Sequence, residues 1–218
     1  MFSQAEENYL KSIYALEKEL LCSISTNLIA QKTETKASSV TDMLKKLDSK
    51  KLVVYQKYQG VSLTEKGKKI ALKVIRKHRL WEFFLVEKLH YSWDKVHDIA
   101  EQLEHIQSET LIDKLDAFLE FPKFDPHGDP IPDKTGNIAS NKVVNILDMQ
   151  VGDKGILKSV KDSSTSFLNY LDKQKLAIGD TIKILDIEPF DYSVQIETNS
   201  NKLVISKNVA ENLFIKNI

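Results

Sequence analysis

The stretch that most constrains this chain is Lys95-Val96-His97-Asp98-Ile99-Ala100-Glu101-Gln102-Leu103-Glu104-His105. His97, Glu101, Glu104 and His105 stand at i, i+4, i+7 and i+8, positions that share one face of an α-helix. Two imidazoles and two carboxylates on one stripe repel unless something positive joins them, and a divalent cation is the economical answer. Upstream, His78 and Glu82 repeat the pattern at i, i+4. A solvated polar face carrying chance histidines explains one such pair better than it explains two separate clusters. Further on, residues 121–132 hold four of the five prolines and read as a stiff, extended connector. Asp125 and His127 within it add two more candidate ligands. His90 lies outside both clusters and reads as an ordinary histidine.

The net charge of zero conceals a division. Residues 1–79 carry 16 Lys/Arg against 8 Asp/Glu, residues 80–140 carry 5 against 13, and residues 141–218 carry 10 against 10. A basic module suits a polyanion; an acidic one with histidines suits a cation. No run approaches the ~18–20 apolar residues of a membrane span, so no membrane partner is expected. The polar, acidic start reads as neither signal nor transit peptide, and Cys22 is the only cysteine. Disulfide scaffolds and cysteine-rich zinc sites are therefore excluded, and a cytoplasmic location is expected.

The chain divides into modules at 1–75, 76–140 and 141–218. In the first, Leu10, Ile13, Tyr14, Leu20 and Leu21 give a helical stripe over about five turns. Ser23-Ile24-Ser25-Thr26 offers N-cap side chains for a short helix from Thr26 to Lys32. Val40, Met43, Leu44 and Leu47 recur at i, i+3, i+4 and i+7, which predicts a third helix from Ala37 to Lys50. Leu52–Lys57 and Val61–Leu63 read as strands around Tyr58-Gln59-Gly60, and Thr64 caps a further helix. Three helices, a hairpin and a helix make a winged helix-turn-helix, whose third helix enters the major groove. Ala37, Ser38, Ser39 and Thr41 then approach the bases, while Lys36, Lys45, Lys46 and the wing's Lys57 hold phosphates. Asp42 suits a cytosine amino group better than phosphate. A basic charge weighs against the alternative use of this fold as a protein-binding module.

In the second module the helix begun near Lys66 runs through His78, Trp81 and Leu89. Trp81, Phe83 and Phe84 are more apolar than one helix needs, which suggests a helix–helix or dimer contact. A helix from Trp93-Asp94 to Ser108 is expected to carry the opening stripe, followed by one bearing Leu111, Leu115, Phe118 and Leu119. In the third module Asn141–Leu147, Gly155–Val160, Thr181–Ile187, Ser193–Glu197 and Lys202–Ile205 read as strands, and Ser166–Lys173 as a short helix. No catalytic constellation appears there.

Asn8-Tyr9-Leu10-Lys11-Ser12-Ile13-Tyr14, Arg76–Glu82, Lys95–Asp98, Glu104-His105 and Pro126–Pro132, in that order, resemble the diphtheria-toxin-repressor/manganese-transport-regulator family. Leu176–Asp180 and Ile205–Leu213 resemble the SH3-like barrel of ferrous-transport accessory proteins. The resemblance covers essentially the whole chain. It implies a mainly α fold with β: a winged helix-turn-helix, a central helical metal-binding and dimerisation domain, and a small C-terminal SH3-like β-barrel. It implies a primary metal site at His78, Glu101, Glu104, His105 and Asn8. It implies an ancillary site at Glu82, His97, Asp125, His127 and Asp162. Asn8 departs from the family, which has aspartate or methionine at that position.

An all-oxygen and imidazole ligand set suits Mn²⁺ first and Fe²⁺ second. The expectation is a metal-activated repressor, not an enzyme, that binds palindromic operator DNA as a homodimer. A metallohydrolase is the first alternative, but there is no His-Glu-x-x-His signature and the basic head would be unexplained. The second is a winged-helix regulator answering a non-metal ligand.

Overall fold

The computed structural model describes residues 2–20, 23–57, 59–140, 142–199 and 201–218. Leu21 of the first stripe, Cys22, Tyr58 of the hairpin turn and Asn141 at an expected strand start lie outside the described residues. The chain divides into two compact units. One comprises Met1–His78, Glu101–Lys114 and Pro132–Asn137; the other comprises Arg79–Ala100, Leu115–Ile131 and Ile138–Ile218.

The first unit opens with α1 (Gln4–Glu19). Ser3 and Glu6 form a reciprocal capping box, each side chain accepting the other's backbone N–H. The stripe Leu10, Ile13 and Tyr14 is buried. Helix α2 (Thr26–Lys32) starts at Ser25, whose hydroxyl accepts from the Leu28 N–H. The turn to α3 (Ala37–Ser49) has no glycine; Glu34 takes the left-handed conformation instead, with φ 51°. Val40, Leu44 and Leu47 of α3 are fully buried beside Ile29, Leu52 and Val53. This core supports the hairpin β1 (Val53–Gln56) and β2 (Gly60–Leu63), paired antiparallel from Val53↔Leu63 to Gln56↔Gly60. Helix α4 (Glu65–Glu87) follows, with the Thr64 hydroxyl accepting from the Gly67 N–H at its start.

Glu6 ties α1 to α3. Its carboxylate is buried and pairs with Lys50 and with Lys46, the latter at 3.1 Å. Burial alone would push this group up; the hydrogen bonds from Lys50, the Ser3 backbone and Lys46 outweigh it and hold the carboxyl at about 2. A depressed folded pKa contributes stability above the unfolded value of 4.5, which is lost as the pH falls towards about 2. With both lysines partly exposed, the screened contribution is about 1–2 kcal/mol. Glu6→Gln is expected to lower the urea midpoint at pH 7, with the gap closing near pH 2–3. A gap that persists in acid would refute the assignment.

The single helix expected over Trp93–Ser108 is divided. A 3₁₀ turn at Trp93–Lys95 precedes α5 (His97–Leu103), and α6 (Glu109–Phe118) starts after a break. Glu104 and His105 leave the helix because tertiary partners capture them. The Ile106 N–H closes a turn onto the Leu103 carbonyl at 3.1 Å, and Lys77 donates to the Ile106 carbonyl at 3.5 Å. The proline-rich connector is folded rather than extended. Phe124 bridges Pro130, and the Ile131 N–H reaches the Lys123 carbonyl at 2.9 Å.

The second unit contains a six-stranded antiparallel sheet of SH3-like type. Its elements are β3 (Val144–Asn145), β4 (Lys154–Val160), α7 (Thr165–Gln174), β5 (Thr181–Ile187), β6 (Val194–Glu197), β7 (Lys202–Ile205), α8 (Lys207–Ala210) and β8 (Leu213–Asn217). Strand order is β3-β8-β4-β5-β6-β7. The strand expected over Asn141–Leu147 shortens to β3 because the Asn145 side chain accepts from the Leu147 N–H at 3.0 Å and turns the chain into a 3₁₀ segment, Ile146–Asp148. Strand β8 was not anticipated, although the alternating burial of Leu213 and Ile215 is a period-two signal.

Candidate metal centre

The exposed face of α3 presents Ala37, Ser38, Ser39, Asp42, Lys45 and Lys46, with Lys36 at its N-cap and Lys57 at the end of β1. Thr41 is half-buried and its hydroxyl donates to the Ala37 carbonyl at 3.0 Å. Three of the residues expected to contact DNA, Asp42, Lys45 and Lys46, already have protein partners. Asp42 lies 3.7 Å from Lys45, and Lys46 pairs with Glu6.

In the first unit, one cluster gathers His78, Glu101, Glu104 and His105. His78 Nδ1 is 2.6 Å from Glu104 Oε2, and His105 Nε2 is 3.8 Å from Glu104 Oε1. Helix α1 contributes differently from expectation. Asn8 is exposed, whereas Glu7 is buried and its Oε2 lies 2.6 Å from His105 Nδ1. Gln107 donates to Glu7 Oε1 at 3.3 Å. Lys11 Nζ reaches Glu104 Oε2 at 2.7 Å, His78 Nδ1 at 3.3 Å and Glu101 Oε1 at 3.5 Å. Burial would raise Glu104; the His78 hydrogen bond and the Lys11 and His78 charges outweigh it and hold the carboxyl below its usual range. The helical period explains the change from Asn8 to Glu7. Glu7 precedes Leu10, Lys11 and Tyr14 by 3, 4 and 7, and so shares their face, whereas Asn8 is rotated off it.

A second cluster lies in the second unit. Glu82, Asp125 and His127 are buried, and each offers a ligand atom within 4.8 Å of the others. His127 Nδ1 is 3.6 Å from Glu82 Oε2 and 4.0 Å from Asp125 Oδ1. His97 Nδ1 lies 3.4 Å from Glu82 Oε1 at the more exposed side. His127 Nε2 donates to the Trp93 carbonyl at 3.0 Å, which directs Nδ1 towards the carboxylates. The Trp93 ring stacks on the imidazole at 6.0 Å. Asp125 Oδ1 accepts from the N–H groups of His127 and Asp129, both at 2.9 Å, which pins the carboxylate. Arg79 sits 3.5 Å from Asp125 Oδ2 and 2.8 Å from Asp129.

This pocket gathers more acidic than basic side chains around buried atoms. Burial, then the Glu82 and Asp129 charges, push Asp125 up to about 7 against the pull of Arg79 and His127. Burial works against the His127 imidazolium, but the Glu82 contact and the Glu82 and Asp125 charges outweigh it and push it up to about 9. Protons thus offset the carboxylates, and a buried divalent cation would offset them in the same way. The donor set of imidazole nitrogen and carboxylate oxygens fits such an ion.

The sheet domain positions this pocket without supplying Asp162. That carboxylate accepts from the Ser164 N–H at 2.8 Å and is outside the ligand group among the described residues. Instead the Val160 N–H donates to the His127 carbonyl at 3.0 Å, Asp172 accepts from Trp93 Nε1 at 3.1 Å, and Thr165 donates to the Asp94 carbonyl at 3.1 Å. Arg79, Trp93, Glu7 and Lys11 are the site residues that ligand-pattern reasoning omitted.

A winged helix-turn-helix head, a buried carboxylate–imidazole pocket and an SH3-like module together define the class of metal-dependent transcriptional regulators. Residues 1–61 match the N-terminal DNA-binding domain of the iron-dependent repressors, 64–133 their metal-binding and dimerisation domain, and 144–217 the FeoA domain. A solved manganese-dependent transcriptional repressor in complex with manganese is similar over 98% of this chain and 100% of its own, with TM-score 0.89 and 30% identity. The HTH-type transcriptional regulator MntR of Bacillus pumilus is 35% identical over 122 residues, 56% of this chain and 83% of that protein. The iron-dependent repressor IdeR of Mycobacterium tuberculosis is 34% identical over 126 residues, 58% of this chain; the match spans about half of that protein (54%). The chain belongs to the iron-dependent repressor family. No helix among the described residues is long and apolar enough to cross a membrane.

Proposed function

We propose that this protein is a metal-activated transcriptional repressor that binds palindromic operator DNA as a homodimer, with Mn²⁺ as its preferred activator and Fe²⁺ second. We further place the activating ion at Glu82, Asp125 and His127, with His97 as an additional ligand. The observation that carries this reading is the buried three-ligand pocket, in which Glu82 and Asp125 face His127 and burial and like charge disfavour ionisation of Asp125. A divalent ion there supplies the charge that lets Glu82 and Asp125 ionise together. The ligand set contains no thiolate, which supports Mn²⁺ or Fe²⁺ over softer ions. A bias of a few kcal/mol towards the DNA-competent state suffices for a switch.

The aromatic contacts of α4 and α6 support the dimer. Phe84 meets Trp81 edge-on at 5.8 Å and Phe118 at 6.4 Å, while much of Phe118 remains exposed. Within the head, Ser38 and Ser39 read the bases and Lys45 holds backbone phosphate. Lys45→Ala is expected to weaken binding to all DNA sequences alike and to reduce the slope of log K against log salt by about 1. A sequence-selective loss would reassign Lys45 to base reading. The function itself is tested by titrating operator binding with Mn²⁺, Fe²⁺ and Zn²⁺ against chelator. A steep Mn²⁺ response is expected, and equal binding in chelator would refute it.

A further inference from the structure

We propose that Lys11 is a resident cation that occupies the first-unit cluster, so that this pocket is held together without a divalent ion and the chain loads one ion, at the second cluster. The inference rests on the second-cluster reading above. Lys11 Nζ donates to Glu104 Oε2 at 2.7 Å, and it lies 3.5 Å from Glu101 Oε1 and 3.3 Å from His78 Nδ1, whose own hydrogen goes to Glu104. It therefore lies against three of the five side chains to which the family resemblance assigns a metal here. Of the other two, His105 is engaged by Glu7 at 2.6 Å and Asn8 is exposed.

The physical argument is competition for the same lone pairs. Glu104 is almost fully buried and needs a positive neighbour. A lysine four residues after Glu7 on α1 supplies that charge at the effective concentration of a tethered group. A free ion entering the pocket would have to displace the ammonium or sit within a few ångströms of it, and like charges at that range repel strongly. In the second cluster the basic side chain Arg79 lies 3.5 Å from Asp125 Oδ2, at the edge of the group, while Glu82 Oε2 and His127 Nδ1 face each other at 3.6 Å. The first-unit pocket thus acts as a strut between α1, α4 and the segment after α5, and metal sensing is left to the second.

The experiment is Mn²⁺ stoichiometry by equilibrium dialysis, with melting temperature read in parallel, on the full chain. Wild type is expected to bind one ion per chain and Glu82→Gln none. Adding Lys11→Met to Glu82→Gln is expected to restore one ion, with a lower melting temperature in chelator that Mn²⁺ brings back. The Glu82→Gln arm leaves Lys11 in place, so it decides the matter even where Lys11→Met folds poorly. Two ions in wild type, one lost in Glu82→Gln and the other in His105→Ala, would overturn the Lys11 proposal and leave the second-cluster reading standing. No ion in wild type but one in Lys11→Met, lost on adding His105→Ala, would support Lys11 and overturn the second-cluster reading.

Discussion

Glu82→Gln is expected to abolish Mn²⁺-dependent operator binding while leaving the protein folded. The carboxylate faces both His97, at 3.4 Å, and His127, at 3.6 Å, so its loss removes a charged ligand that contacts both imidazoles of the proposed centre. Outer-sphere changes at metal sites already cost roughly 10–100-fold in affinity. Removing a charged ligand should therefore cost on the order of 100-fold or more. The metal-free protein behaves in the opposite sense at Asp125. That side chain is buried beside a second carboxylate, and burial and like charge disfavour its ionised form. Asp125→Asn keeps an oxygen for the His127 and Asp129 N–H groups and removes one like charge. It is expected to melt no lower than wild type in chelator, yet to show no Mn²⁺-induced rise in melting temperature. Wild-type Mn²⁺ affinity in either variant would remove the second cluster from the account.

Gly128→Ala should be the most damaging single-methyl change in the second unit. Gly128 has φ +85°, and a Cβ there would stand 1.9 Å from the Lys158 carbonyl oxygen and 2.6 Å from the Ser159 Cα. Both are backbone atoms, so no rotamer change relieves the overlap; the connector and β4 must separate. The left-handed conformation adds about 1 kcal/mol for alanine, and the displacement brings the expected loss to about 3 kcal/mol or more. The same displacement stretches the bond from the Val160 N–H to the His127 carbonyl, so Mn²⁺ affinity should fall about 10-fold as an outer-sphere effect. Gly152→Ala is the control. Its φ is +98°, but nothing lies within 4 Å of the added carbon, so only the conformational cost of about 1 kcal/mol is expected. Urea midpoints and Mn²⁺ titrations of the two variants check this. Equal losses in both would show that the contact between connector and β4 carries no weight.

The head was legible in the sequence because its elements are local. Val40, Leu44 and Leu47 announce α3 through their period, and Gly60 marks the hairpin. The central region was less so. The i, i+4, i+7, i+8 pattern of His97, Glu101, Glu104 and His105 assumed one continuous helix, but α5 ends at Leu103. Capture of Glu104 by His78 and Lys11 is long-range, and propensity carries no information about it. The connector's Asp125 and His127, singled out by residue type, lie beside Glu82 in the structure. Asn8 was carried over from a family position, although the helical period of α1 itself favours Glu7. The role of the sheet domain at His127 rests on a backbone N–H of Val160, which no side-chain pattern could have indicated.

The most direct test is a manganese anomalous difference map from crystals of the full chain grown with Mn²⁺. The predicted result is one peak per chain, bounded by Glu82, Asp125 and His127, with Lys11 Nζ still against Glu104. A peak at Glu104 and His105, with no density between Glu82 and His127, would contradict the account.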